Sequence, residues 1–134
     1  MNFRELAEIL CKATELKVDD VLATGGCSIR FQDSFDVNIE WEEETSSLCL
    51  YTPLMKIPAS HKEQLYARLL STHVFGAATQ GALFGIYPER NEVMLFKKIS
   101  AANLTEIDCL NALQQFVQQA TFWLLQLNSH IATA

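Results

Sequence analysis

The spacing of apolar positions changes period several times along the chain. Phe3, Leu6, Ala7, Leu10 and Ala13 recur at helical spacing. Asn2 and Glu5 supply an N-cap and its reciprocal acid, which predicts an amphipathic helix as far as about Leu16. Ile9 and Leu16 make its apolar stripe wider than one packing face needs. After Gly25-Gly26 the period drops to two: Cys27, Ile29 and Phe31 oppose Ser28, Arg30 and Gln32. A turn at Asp33-Ser34 leads to Phe35, Val37, Ile39 and Trp41 alternating with Asp36, Asn38 and Glu40, so the two segments read as a hairpin. Leu48, Leu50 and Leu54 extend it into a third strand, interrupted by Pro53 and Pro58. The expected product is a three-stranded antiparallel meander with one apolar face.

The second half returns to helical spacing. Ser60 and Glu63 form a capping-box pattern ahead of Leu65, Leu69 and Leu70, which predicts a helix to about Val74. The small residues from Gly76 to Gly81 read as a loop. Ala82–Tyr87 and Val93–Phe96, joined by Pro88-Glu89-Arg90-Asn91, read as two further strands. Both are apolar on both faces, so both faces call for cover. Asn103 with Glu106 caps a last, long helix through Ile107, Leu110, Leu113, Phe116, Val117, Ala120, Trp123, Leu124 and Leu127, with a frayed tail expected over 129–134. Helix, three strands, helix, two strands, helix, with no linker or repeat, predicts an α+β fold in one domain over residues 1–134.

Composition sharpens this picture. A chain of 134 residues is long enough for one core, and with 49% hydrophobic against 19% charged residues it excludes disorder and leaves apolar surface over after folding. Sixteen acidic residues against ten Lys and Arg give a net charge of -6, which argues against nucleic acid and anionic membranes as partners. No apolar run approaches the roughly 18 residues of a membrane span, and the Met1–Glu5 segment lacks the basic stretch of a secretory signal, so a cytoplasmic protein is expected. Cys11, Cys27, Cys49 and Cys109 are irregularly spaced inside apolar patterns and read as buried free thiols.

Catalytic chemistry has little to stand on. His61, His73 and His130 lie in no recognisable motif, and solvated surface positions explain the first and last. His73 falls near a helix C-terminus, where its charge is favourable. Glu42-Glu43-Glu44 on a turn does not converge as metal ligands must. Gly76, Gly81 and Gly85 lack the lysine and the strand-turn-helix setting of a phosphate loop. Arg30 and Arg68 read as lone surface cations. The expectation is no enzyme, no metal and no cofactor.

Leu69-Leu70 at a helix end, then Gly81-Ala-Leu-Phe-Gly-Ile86, a short turn, Val93-Met-Leu-Phe96 and a long helix closing on Phe122-Trp123 resemble the class I chaperones of bacterial type III secretion, the Tir chaperone (CesT-like) family. The element order extends the resemblance over nearly the whole chain. Two places depart from it: Thr72-His73 stands where an asparagine is common, and Pro88–Asn91 replaces the usual aspartate-and-glycine turn. The resemblance implies a cytoplasmic bacterial homodimer that binds the N-terminal segment of a secreted effector. It would hold that segment non-globular without ATP and deliver it to the export machinery, the secretion ATPase among its contacts. It implies a dimer interface of Leu65, Leu69, Phe75, Phe84, Ile86, Met94 and Phe96, and an effector surface of Phe3, Leu6, Leu10, Ile29, Phe31, Val37, Ile39 and Leu48. The same alternation also suits a plain core face. An adaptor that sequesters a regulator of secretion would carry the same sequence pattern, and a small-ligand enzyme would need convergent polar groups that the chain does not show.

Overall fold

The first helix, α1 (Phe3–Lys12), starts where the sequence predicts, because Asn2 Oδ1 accepts the Glu5 N–H at 2.8 Å. It stops short of Leu16. The Thr14 hydroxyl donates to the Leu10 carbonyl at 2.9 Å and accepts the Leu16 N–H at 3.3 Å, which takes the backbone off the helical path. An unpredicted helix, α2 (Val18–Thr24), follows, with Asp19 and Asp20 in its first turn. Gly25 closes it in the left-handed region at φ 80, donating its N–H to the Val21 carbonyl at 3.0 Å. Seven residues with only Val21 buried are too few to display a 3.6-residue repeat.

This computed structural model describes residues 1–12, 14–31, 33–76 and 78–133, with side chains as far as Asn128. Ala13, Gln32 and Ala77, read above as helix, strand and loop, lie outside the described residues, as do Ala134 and the side chain of His130. The tail expected to fray carries helical backbone to Thr133, and its side chains are likewise outside the description.

The remaining elements are β1 (Gly26–Phe31), β2 (Phe35–Glu42), β3 (Ser47–Lys56), α3 (Lys62–Thr72), a single 3-10 turn at Val74–Gly76, β4 (Leu83–Tyr87), β5 (Glu92–Ser100) and α4 (Glu106–Thr133). All five strands join one antiparallel sheet in the order β1-β2-β3-β5-β4. The predicted meander and the later hairpin are therefore two parts of a single sheet, joined where β3 pairs with β5. Pro53 does not end β3. The strand continues to Lys56 through a register shift between Pro53 and Met55, a bulge that absorbs the missing proline N–H.

Two helix starts differ from the sequence reading. At α3 the N-cap is His61 in the left-handed region (φ 61), and no side chain caps the helix, so the Ser60–Glu63 box does not form. At α4 the box lies two residues further along than Asn103–Glu106: the Thr105 hydroxyl accepts the Asp108 N–H at 3.1 Å, and the Asp108 carboxylate accepts the Thr105 N–H at 3.3 Å.

Phe35, Val37, Ile39, Leu48, Leu50, Val93 and Leu95 share one core with Leu6 and Leu10 of α1, Leu65 and Leu69 of α3, and Phe116, Ala120, Trp123 and Leu127 of α4. Met94 and Phe96 alternate to the opposite face, where they remain half-buried. The later strands are thus covered by this chain on one face only.

At the far end of the sheet Lys98 Nζ meets Glu42 Oε1 at 2.9 Å, and that hydrogen bond holds the Glu42 carboxyl below its usual range. A lowered folded-state pKa stabilises the fold above the unfolded carboxylate pKa and loses that contribution as pH falls through the folded value. Lys98→Met is expected to return the Glu42 titration upward in a carboxyl-resolved NMR experiment, with little change in stability because the pair is exposed. An unchanged Glu42 titration would rule this cause out.

Candidate binding surfaces

One edge of the sheet is β1, with no strand beyond it among the described residues. Its residues Cys27, Ile29 and Phe31 pair with Ile39, Val37 and Phe35, so they lie on the core face, yet all three stay half-buried. Phe3 stacks on Trp41 with ring centroids 5.6 Å apart, and Phe31 on Phe35 at 6.1 Å. An unpaired backbone edge therefore runs beside a row of half-exposed apolar side chains. On the solvent side Arg30 spans to Asp36 at 3.5 Å and donates to the Asp33 carbonyl at 3.2 Å, a cross-strand surface pair. Of the eight residues assigned by resemblance to the effector surface, Phe3, Ile29 and Phe31 reach this surface. Leu6, Leu10, Val37, Ile39 and Leu48 expose 0–2% and belong to the core beneath it. Trp41 joins the surface although the sequence reading left it out; its place at the end of the Phe35–Trp41 alternation, where cover runs thin, is the signal that marks it.

The opposite edge is β4, flanked by α3. Phe84 sits between His73, stacked at 4.9 Å, and Trp123, edge-on at 5.2 Å, and donates its N–H to His73 Nε2 at 2.6 Å. The pairings Phe84↔Leu95, Ile86↔Val93, Leu83↔Phe96 and Gly85↔Met94 put Phe84 and Ile86 on the helix face, and Met94 and Phe96 on the other. The seven residues assigned to a dimer interface therefore do not form one patch. Leu65, Leu69 and Phe84 lie in the core, Ile86 and Phe75 are exposed beside α3, and Met94 and Phe96 look out from the reverse of the sheet. Between α3 and β4 an apolar pocket of about 260 Å³ opens among Tyr66, Leu69, Leu70, His73, Phe84, Gly85 and Ile86.

The reverse face forms a shallow groove of about 580 Å³ whose lining includes Cys49, Tyr51, Pro53, Tyr87, Met94 and Phe96, with Glu40, Arg90 and Glu92 around them. The Tyr51 hydroxyl donates to Glu40 at 2.5 Å; burial first, and then that carboxylate, push its phenol up to about 12. At Gly85 a Cβ would lie 3.1 Å from Phe96 Cε1, so the Phe96 ring approaches β4 closely because no side chain intervenes.

Residues 10–124 match the Tir chaperone protein (CesT) family. The chain belongs to that family. Solved structures with the same fold include chains of the ExsC–ExsE complex and of the HopA1–SchA chaperone–effector complex. The first is 21% identical over 92% of this chain and 95% of that one, with a TM-score of 0.62. The second is 16% identical over 76% and 73%, with a TM-score of 0.58. A chain of the heterodimeric ExoU–SpcU complex from the type III secretion system of Pseudomonas aeruginosa is 10% identical over 72% and 74%, with a TM-score of 0.57. No curated protein sequence matches the chain.

In this CesT-family chain the polar residues weighed above for chemistry are tied up separately. Glu42 binds Lys98 and Glu43 accepts the Trp41 indole N–H at 2.6 Å, so the acidic run diverges. His73 is engaged with β4, and His61 is exposed at the start of α3. Among the described residues no group of three or more His, Cys, Asp or Glu could hold a metal ion, and no helix is long and apolar enough to cross a membrane.

All four cysteines are free thiols, and burial raises the pKa of each. Cys27, next to Cys11, is pushed up to about 11, chiefly by burial. At pH 8 about one Cys27 in a thousand is then thiolate. Iodoacetamide is expected to label Cys27 far more slowly in the native protein than in urea, as read by mass spectrometry. Equal rates would show that the Cys27 thiol is not shielded by burial.

Proposed function

We propose that this chain is a type III secretion chaperone. It works as a cytoplasmic homodimer that holds the N-terminal segment of a secreted effector in extended, export-competent form without ATP. The observation that carries the reading is the free β1 edge with Phe3, Ile29, Phe31 and Trp41 half-exposed along it. An extended segment can add its backbone to such an edge and place alternate apolar side chains against that row. The sheet order supports holding a client and a second copy together: β1 and β4 are the two edges, four interstrand steps or about 19 Å apart. A copy seated on α3 and β4 leaves β1 open.

The test is co-expression with a secreted protein encoded beside this gene, followed by calorimetry with its N-terminal segment. Tight binding, unchanged by ATP and weakened about 30-fold or more by a Phe3→Ala, Trp41→Ala double variant, is expected. Equal binding by that variant would remove β1 as the client site. A client that stays in the cell and regulates transcription, instead of being exported, would favour the regulator-sequestering reading.

A further inference from the structure

The ladder between β1 and β2 decides which backbone groups of the free edge can serve a client. The Trp41 N–H donates to the Gly25 carbonyl at 2.9 Å, and these two residues stand opposite each other in the register that pairs Gly26 with Glu40. Bonded and non-bonded pairs alternate along an antiparallel ladder. Cys27, Ile29 and Phe31 therefore direct their N–H and C=O groups at β2, while Gly26, Ser28 and Arg30 turn theirs outward. One of these outward groups is already taken. The hydroxyl of Thr24, the last residue of α2, lies 2.8 Å from the Gly26 carbonyl, 3.0 Å from that of Asp20 and 3.5 Å from that of Val21. The Val21 carbonyl accepts the Gly25 N–H, and the Asp20 carbonyl faces the Thr24 N–H one helical turn on, so the single hydroxyl proton goes to Gly26. Among the described residues nothing meets the backbone of Ser28 or Arg30 on that side.

We infer that Thr24 is the register stop of the client strand, an inference that rests on the reading of β1 as the client edge. With the Gly26 carbonyl occupied, an antiparallel client makes complete, two-bond pairings only at Ser28 and Arg30. The side chains of those two client residues lie on the Arg30–Asp36 face, and the residues around them face Cys27, Ile29 and Phe31. The segment that fits has five residues, apolar at the first, third and fifth, with a free N–H at the second and fourth. Proline is excluded from the second and fourth positions and allowed at the third, whose N–H points away from β1. Without the Thr24 hydroxyl a further pairing opens at Gly26, and the client can slide two residues toward α2. Two is the smallest slide that keeps its apolar side chains on the apolar face, because a slip of one residue turns them over. Thr24 is thus a positioning residue that acts through the Gly26 carbonyl.

The test uses the peptide acetyl-Lys-Val-Thr-Val-Thr-Val-Lys-amide, whose lysines suit a chain of net charge -6, titrated into the protein and followed by backbone amide shifts. The Ser28 and Arg30 amides are expected to shift. N-methylation of either threonine should weaken binding about 10-fold or more, and N-methylation of the central valine should change it less than about twofold. N-methylation of the C-terminal lysine, which stands opposite Gly26, should be equally silent in the parent protein. In Thr24→Val the Gly26 carbonyl is free to accept that N–H, and the same N-methylation should weaken binding about three- to tenfold. Thr24→Ala, which lacks the same hydroxyl without a β-branch, should show the same dependence, and Thr24→Ser, which keeps the hydroxyl, should behave as the parent. A parent already sensitive at the C-terminal lysine, or Thr24→Val and Thr24→Ala both insensitive there, overturns the register stop while the β1 reading stands. Loss on methylating the central valine, with the threonines silent, overturns the stated pairing. A peptide that leaves the β1 amides unshifted overturns both the stop and the β1 reading.

Discussion

Phe84→Ala is expected to lower the unfolding free energy by about 3–5 kcal/mol, a large share of the roughly 5–15 kcal/mol that holds a domain of this kind together. Phe84 is 9% exposed and joins three elements: the His73 ring at the end of α3, the Trp123 ring of α4 and its own strand β4. Truncation leaves a cavity that neither ring can fill without giving up its geometry, and it strips the two aromatic contacts that tie the end of α3 and the Trp123 turn of α4 to β4. The His73 bond to the Phe84 backbone survives, so the variant should still fold at low temperature, with an unchanged urea slope and a much lower midpoint. This result would separate Phe84 from Phe75, whose truncation should cost the monomer nothing. A carboxylate at position 84 would unfold the chain and would say little about an interface. A cost below about 1 kcal/mol, together with a lost dimer, would instead place Phe84 at a subunit contact and refute its position in the core.

Much of the scaffold could be read from the chain, and the reasons it stopped there are physical. Local signals were dependable: Asn2 caps α1, the Phe35–Trp41 alternation is a strand, and the spacing from Ile107 to Leu127 is α4. Alternation tells which side chains share a face. It does not tell how far the helices extend over that face. Ile39 and Ile29 look alike in sequence, yet one is sealed in the core and the other lies on the uncovered margin of the sheet. The grouping of Phe84 and Ile86 with Met94 and Phe96 failed for a different reason. Two strands share faces only as their register dictates, and here the turn at Pro88–Asn91 pairs Tyr87 with Glu92. Counting outward from that turn assigns Phe84 and Met94 to opposite faces, so the signal was present in the turn length. The bulge at Pro53 and the helix α2 depend on contacts between distant segments and leave no period to count.

Gly26→Val is expected to destabilise the chain by about 3 kcal/mol and to weaken client binding at the same time. Gly26 pairs with Glu40 at the start of β1, and a Cβ there would fall on the Ile39 carbonyl oxygen, with the Glu40 Cα only 3.1 Å away. Both are backbone atoms of β2, which cannot retreat because Ile39 and Glu40 are paired on their other side with Leu50 and Cys49 of β3. The strain must be relieved by β1, the edge strand, which would peel away from Gly26 and lose the Trp41 N–H bond to the Gly25 carbonyl at 2.9 Å. Gly25→Ala is the control. It has open space around it but a φ of 80, so it should cost about 1 kcal/mol of local strain and leave β1 in place. Hydrogen exchange reads the difference: in Gly26→Val the amides of β1 and of Trp41 should exchange faster than those of β3 and β5, and a client segment that pairs with β1 should lose affinity in the same variant. Unchanged protection in β1 would show that this edge tolerates a side chain. Lost protection with undiminished client binding would move the client off β1 altogether.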